Sequence, residues 1–386
     1  MTRVLIAFDK FKDALTSQQA CTVAATALRT IHPDWSLDLC PLTDGGEGFC
    51  ETLTQATQGR IEQLKCSGPR GEPVNAPIGY ITANKLPAVV RGQLGLDSIT
   101  TLAVIEMAVA SGLALLPPDQ RDPWQTGSFG TGQLIKAASQ TGAAAILLGV
   151  GGSATNDLGF GALAALGFKF RDANGNFIEQ PTPSTWDKIA GIERDTARAL
   201  PPIFIACDVT NPLLGPAGAT ATFGPQKGLR AADFARLEAQ AARLAAMLCA
   251  DCGQPFTLSS LPGTGAAGGI SFGLMVAFGA KLVSGFDLVS GWLDLPARVA
   301  HADLVLTGEG RFDRTSLGGK GPGSLVTVAR QLGKHVHVFA GSLGPPENSP
   351  ELAGVKAHAI TPADLPLREA LPRSAELLAT AVRDTF

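Results

Sequence analysis

The chain has 386 residues, of which 45% are hydrophobic and 17% charged, with a net charge of −3. That length exceeds one small core and predicts two or three domains. The apolar share excludes a disordered chain, and the weak net charge gives no electrostatic basis for nucleic acid or membrane partners. The 45 glycines exceed the ordinary share of roughly 7% and cluster in loops after apolar runs, as in an α/β enzyme whose loops approach a ligand closely. Seven scattered cysteines form no paired framework. Cys249 and Cys252 have a C-x-x-C spacing but no second pair or histidine cluster to complete a zinc site. Reduced thiols and a cytoplasmic location are expected.

In chain order, Val4–Phe8 reads as a first strand, too short for a signal-peptide core. Thr16 or Ser17 caps a helix with apolar positions at Ala20, Val23, Ala24, Ala27, Leu28 and Ile31. Leu37–Leu42 is a short strand ending in Thr43-Asp44-Gly45-Gly46-Glu47-Gly48. Residues Gly68 to Leu102, rich in Pro, Gly, Thr and Val, read as antiparallel strands and turns that lead into a second domain. Gly132–Gln140 is a helix feeding the strand Ala143–Leu148, and Gly159–Leu166 starts another helix. Ile203–Asp208 is a strand ending in an acid. Ala231–Cys249 is amphipathic, with Phe234, Leu237, Ala241, Leu244 and Leu248 on one face. The stretch from Asp251 to Lys281 is free of charge but broken by Pro255, Pro262 and glycines, so it is not a membrane span. Leu304–Leu306 and Val336–Phe339 are strands separated by a helix over Gly323–Leu332. Alternating strands and helices imply parallel sheets.

The most informative segment is Gly149-Val150-Gly151-Gly152-Ser153-Ala154-Thr155-Asn156-Asp157. A strand that breaks into glycines and opens a helix leaves backbone N–H groups aimed at one spot, an anion site for phosphate or carboxylate. Asn156 and Asp157 sit where a metal ion or reacting hydroxyl could be held; the alternative is a tight turn with an Asn/Asp cap. Other strands also end in acid-bearing loops: Asp9 with Lys10 and Lys12, Asp44 and Glu47 among glycines, Asp208 with Asn211, and Glu309 with Asp313 and Lys320. In parallel α/β sheets ligands bind at the carboxyl ends of strands. Carboxylates, lysines and an anion-cradling loop gathered there would hold Mg²⁺-nucleotide and move a phosphoryl group. No P-loop, kinase H-R-D or D-F-G motif is present. Gly263–Gly269 has the bare G-x-G-x-x-G spacing but follows no strand, and reads as a second glycine-rich phosphate or substrate loop.

These residues resemble the bacterial type I glycerate kinases nearly end to end. The resemblance covers Asp9–Lys12 with Leu15-Thr16, Asp44–Gly48, Ala103–Ala108, Gly130–Gly132, Gly151–Asp157, Ala206–Leu213, Phe223–Gly228, Gly263–Gly269 and Thr307–Asp313. It implies two α/β domains with the active site in the cleft between them. A flavodoxin-like or Rossmann-like parallel-sheet domain is built from both chain ends, 1–70 plus 288–386, and the other is inserted at 71–287. It also implies an ATP-dependent kinase of D-glycerate, with Mg²⁺ as cofactor and 2-phosphoglycerate as the favoured product. Lys12, Asp157, Asp313 and Glu309 are then the catalytic candidates, Asp157 and Asp313 as proton acceptors. Asp9, Asn156, Asp208, Asn211 and Arg311 would bind substrate. Gly151, Gly152, Ser153, Gly265, Gly268 and Lys320 would contact the nucleotide phosphates, and Asp44 and Glu47 the metal. Arg314-Thr315-Ser316 departs from the family pattern of a small residue, Gln and Thr. The rival functions are a non-catalytic binder of small carboxylates and a Mg²⁺-dependent sugar-acid lyase.

Overall fold

The computed structural model describes the chain except for residues 44, 98–99, 195–198, 315, 317–320 and 345–353. Its strands are, in chain order, β1 (Arg3–Phe8), β2 (Ser36–Leu39), β3 (Arg60–Ser67), β4 (Pro73–Thr82), β5 (Thr101–Glu106), β6 (Ala145–Gly149) and β7 (Lys169–Arg171). There follow β8 (Phe177–Ile178), β9 (Gly191–Glu193), β10 (Ile203–Ala206), β11 (Lys281–Val283), β12 (Leu304–Phe312), β13 (His335–Leu343) and β14 (Val355–Ala359). The chain divides into two units, Met1–Asp44 with Phe286–Phe386, and Gly45–Gly285. The second junction lies at 285/286, where 287/288 was expected. The first comes earlier than the expected 70/71, because β3 pairs antiparallel with β4 along its whole length and carries residues 45–70 into the inserted unit.

In the unit built from both chain ends the sheet order is β14-β13-β12-β1-β2, and every pairing is parallel. β1 is buried from Val4 to Phe8, the unbroken apolar run that a strand covered on both faces requires. The helix Ser17–Ile31 begins where Thr16 forms a capping box. Its hydroxyl accepts from Gln19 N at 3.2 Å, while Gln19 Oε1 accepts from Thr16 N at 2.9 Å, a cap of about 1 kcal/mol. Ala20, Ala24 and Leu28 of that helix share a core with Leu378 and Val382 of the helix Ser374–Thr385.

In the inserted unit the main sheet runs β11-β10-β6-β5-β4-β3. Its core strands β5, β6, β10 and β11 are parallel, and β4 and β3 are antiparallel. A small antiparallel sheet, β8-β7-β9, lies apart from it. Within the span expected to be strands and turns, Ala88–Leu94 is instead a helix closed by Gly95 at φ 61°. The amphipathic helix runs Phe234–Cys252, with Leu237, Ala241, Leu244 and Leu248 buried. Strand register places Glu106 beside Gly149 and Gly149 beside Ala206, so β5, β6 and β10 end at one edge. No helix among the described residues is long and apolar enough to cross a membrane. The cysteines are free, and burial pushes the thiols of Cys21, Cys40 and Cys50 up to about 12.

Candidate functional site

The inserted unit carries the glycine loop after β6. A Cβ at Gly149 would lie 2.6 Å from the Gly45 carbonyl oxygen, and one at Gly151 would lie 2.7 Å from Gly46 Cα. Gly151 N donates to that same Gly45 oxygen at 3.0 Å. The two glycine turns, 45–48 and 149–152, therefore pack backbone to backbone, and this leaves no room for a side chain at 149 or 151. Gly152, at φ +71°, is exposed, and Glu47 Oε1 lies 3.2 Å from where its Cβ would be. Gly151 is half-buried, Ser153 is 8% exposed, and every residue from Ala154 to Asp157 is buried. The face open to a ligand is thus Gly151 and Gly152, with the edge of Ser153 and the carboxylate of Glu47 beside it.

Asn156 and Asp157 are not on that face. Asp157 is fully buried. Its Oδ2 accepts from Ser128 N at 2.8 Å, Ser128 Oγ at 2.7 Å and Gly161 N at 3.1 Å, and its Oδ1 accepts from Gly159 N at 3.1 Å. The helix opened there is only Phe160–Ala165, and the anion that meets its first N–H groups is the protein's own carboxylate. Burial raises the Asp157 pKa above the usual carboxylate range, against the pull of those hydrogen bonds. An acid with both oxygens occupied inside the fold anchors a loop; this corrects the expectation that it faces a metal or a reacting hydroxyl. Asn156 is 2% exposed and donates to Thr220 Oγ1 at 3.2 Å, so it too ties the loop to its surroundings.

Gly263–Gly269 is also corrected. The whole segment is buried. A Cβ at Gly265 would lie 2.2 Å from the Pro212 carbonyl oxygen, and one at Gly268 would lie 2.1 Å from that of Thr155. Leu158 N donates to the Gly268 oxygen at 3.0 Å. The spacing that suggested a phosphate loop serves close packing instead: the segment buttresses residues 155–158 from behind.

Two polar residues had no assigned role in the sequence. Lys227, 2% exposed, donates from Nζ to Ser153 Oγ at 2.9 Å and to the Thr155 carbonyl at 2.6 Å. Burial lowers its pKa to about 7, with Asp157 opposing the shift. It sits inside Phe223–Gly228, one of the blocks carrying the family resemblance, which was the available signal. Glu106, 1% exposed at the end of β5, accepts from Cys50 N at 3.3 Å. It thereby places a carboxylate in the first turn of the helix Phe49–Ala56, where a negative charge is favoured. Asp208 is half-buried after β10, with Ser284 Oγ donating to it at 3.4 Å. Asn211 donates to the Ala217 carbonyl at 2.7 Å and to Thr222 Oγ1 at 3.1 Å, which fixes its own turn.

In the other unit the acids also gather at the carboxyl edge of the sheet. Asp9 follows β1 and is 5% exposed; it accepts from Lys10 N at 2.7 Å, and its Oδ2 lies 3.3 Å from a Cβ position at Gly321, where the helix Gly321–Gln331 starts. Lys12 is exposed in a turn closed by a Phe11–Leu15 bridge. Glu309 lies within β12 rather than in a loop, since that strand continues to Phe312. Its flanking glycines admit neighbours: a Cβ at Gly308 would lie 1.7 Å from the Phe339 carbonyl oxygen, and one at Gly310 would lie 3.2 Å from Lys12 N. Side-chain alternation puts Glu309 and Arg311 on the same face of β12. Arg311 is exposed and pairs through Nε with Asp313 Oδ2 at 3.0 Å. Asp44 and Lys320 lie outside the described residues. Among the described residues no cluster of three or more His, Cys, Asp or Glu could hold a metal ion by itself.

Known proteins are similar to this chain over nearly its whole length. The sequence profile of the glycerate kinase family matches residues 4–386. The glycerate kinase of Bacillus subtilis (strain 168) is 37% identical over 386 residues, covering 99% of this chain and 96% of that protein. The glycerate 2-kinase of Escherichia coli (strain K12) is 39% identical over 346 residues, covering 88% of this chain and 85% of its own. A crystal structure of a Salmonella typhimurium LT2 protein described as a glycerate kinase 2 superposes with a TM-score of 0.74 at 38% identity, covering 100% of this chain and 97% of that one. The chain belongs to the glycerate kinase family.

Proposed function

We propose that this chain is a glycerate kinase that transfers the γ-phosphoryl group of ATP to the 2-hydroxyl of D-glycerate, giving ADP and 2-phosphoglycerate. The observation that carries this reading is the turn of half-buried Gly151 and exposed Gly152 with Glu47 alongside it, at the shared edge of β5, β6 and β10. It occurs in a chain related over 99% of its length to a protein named glycerate kinase and over 88% to one named glycerate 2-kinase.

Phosphoryl transfer depends mainly on positioning and on neutralising charge. Gly151 N is held by the Gly45 carbonyl, so the N–H of Gly152 and the Ser153 hydroxyl are the donors that would take phosphate oxygens. Mg²⁺ is held by one or two carboxylates together with substrate phosphates. Glu47 beside the turn fits one carboxylate of that pattern, and the ion would supply charge neutralisation at the phosphate oxygens; Asp44, which lies outside the described residues, is the second carboxylate that the family resemblance implies. In the unit built from the chain ends, Lys12 and Arg311 are the cations available for the glycerate carboxylate. Asp313, already paired with Arg311, and Glu309 are the carboxylates available to take the hydroxyl proton. Asp157 acts through the loop it anchors rather than on the substrate. A site that clamps the carboxylate holds the adjacent 2-hydroxyl most rigidly, and this favours the 2-isomer. Free thiols, five of the seven buried, support a reducing, cytoplasmic setting.

ADP release from ATP that requires D-glycerate, with product read by enolase in the absence of phosphoglycerate mutase, tests the reading. A carboxylate binder releases no ADP, and a lyase consumes glycerate without ATP; either result overturns the assignment. Signal that appears only after mutase is added means 3-phosphoglycerate and a misdrawn clamp.

A further inference from the structure

The block Phe223–Gly228 is part of the family pattern, yet nothing in the function above uses it. Its lysine is buried directly behind the anion-facing turn. An ammonium group has three N–H donors and no acceptor capacity. When Lys227 donates to Ser153 Oγ, that oxygen is the acceptor, and the serine's own hydrogen must point elsewhere. No acceptor among the described residues takes it. Ser153, 8% exposed and next to exposed Gly152, is more open than any loop residue from Ala154 to Asp157. The second Lys227 bond, to the Thr155 carbonyl, grips the loop two residues further on. One side chain therefore fixes the loop backbone and sets the polarity of its hydroxyl. A buried cation behind the amides also strengthens their attraction for an oxyanion, because the surrounding dielectric is low.

Resting on the kinase reading, we infer that Lys227 is a positioning residue that turns the Ser153 hydroxyl hydrogen outward as a donor to a nucleotide phosphate oxygen. The groups facing its Nζ are Ser153, the Thr155 carbonyl and, electrostatically, Asp157. With a pKa near 7, the cation is partly lost just above neutral pH, and a bound phosphate restores it.

The test compares Lys227→Met, Ser153→Ala and the double variant by steady-state kinetics, with ATP and D-glycerate varied separately, and by calorimetric titration with ADP. Lys227→Met is expected to raise KM for ATP at least tenfold with little change in KM for glycerate. Ser153→Ala is expected to do the same, with the double variant no worse than either single one, as for two residues acting as a unit. The wild-type KM for ATP should also rise, relative to that of Lys227→Met, as pH increases through neutrality. Unchanged KM for ATP in folded Lys227→Met, multiplying effects in the double variant, or activity that falls only with the folded fraction would each overturn the inference. If Lys227→Met does not fold, Ser153→Ala decides alone, because it alters the loop edge and leaves the lysine in place. ADP affinity reads the loop without turnover. Absent glycerate-dependent turnover with ADP binding weakened in the variants removes the kinase reading and leaves this one standing.

Discussion

Asp157 separates a loop anchor from a proton acceptor. In Asp157→Ala, the buried donors Ser128 N, Ser128 Oγ, Gly159 N and Gly161 N all lose their acceptor. Each buried donor left unpaired costs about 1–3 kcal/mol. Partial relaxation, and the release of a charge that burial disfavours, bring the expected loss to about 4 kcal/mol. Asp157→Asn is milder. Its amide oxygen can keep the three contacts made by Oδ2, while its NH₂ group faces Gly159 N and forfeits one bond, about 1–3 kcal/mol. The sign with pH follows from the raised pKa in the folded state. The stability contributed by protonation is fully present below the unfolded carboxylate pKa and is lost as pH rises through the folded value. The cost of Asp157→Asn should therefore be largest in acid and shrink as pH increases. Urea denaturation at several pH values, with kcat measured on the folded fraction, checks each step. If Asp157→Asn were as stable as the wild type yet lost kcat by orders of magnitude, together with the acidic limb of the pH profile, the anchor assignment would be wrong and Asp157 would be the general base.

Two further outcomes follow from the geometry. Lys12 is exposed in its turn, so Lys12→Ala should leave stability within about 0.5 kcal/mol while kcat/KM falls at least tenfold, about 1.4 kcal/mol of transition-state stabilisation; wild-type kinetics would mark it as a solvated lysine. Gly268→Ala should cost more than about 2 kcal/mol in thermal or urea unfolding, since its Cβ would lie 2.1 Å from the Thr155 oxygen at φ +71°; a variant of wild-type stability would show that this buttress yields easily.

The strand–helix alternation, a cap at Thr16 or Ser17 and the apolar face of Phe234–Cys252 were legible because they depend on local spacing. What a glycine is for was not. Gly152 and Gly268 share a left-handed backbone and sit in equally glycine-rich runs, yet one is exposed and the other is wedged against Thr155. Local sequence records that a side chain is forbidden, not whether a ligand or another stretch of backbone forbids it. Asp157 misleads for a related reason. An acid just after a glycine turn suits chemistry, and it equally suits the N–H groups of a helix that begins three residues later. Lys227 was hidden more completely. Between Pro225 and Gly228 it resembles a solvated turn lysine, and only Ser153 and Thr155, more than seventy residues away along the chain, reveal its role. The glycine pattern thus marks the loop proposed to meet the phosphates, while the residues that hold that loop, Asp157 and Lys227, are those whose significance arises only when distant segments pack together.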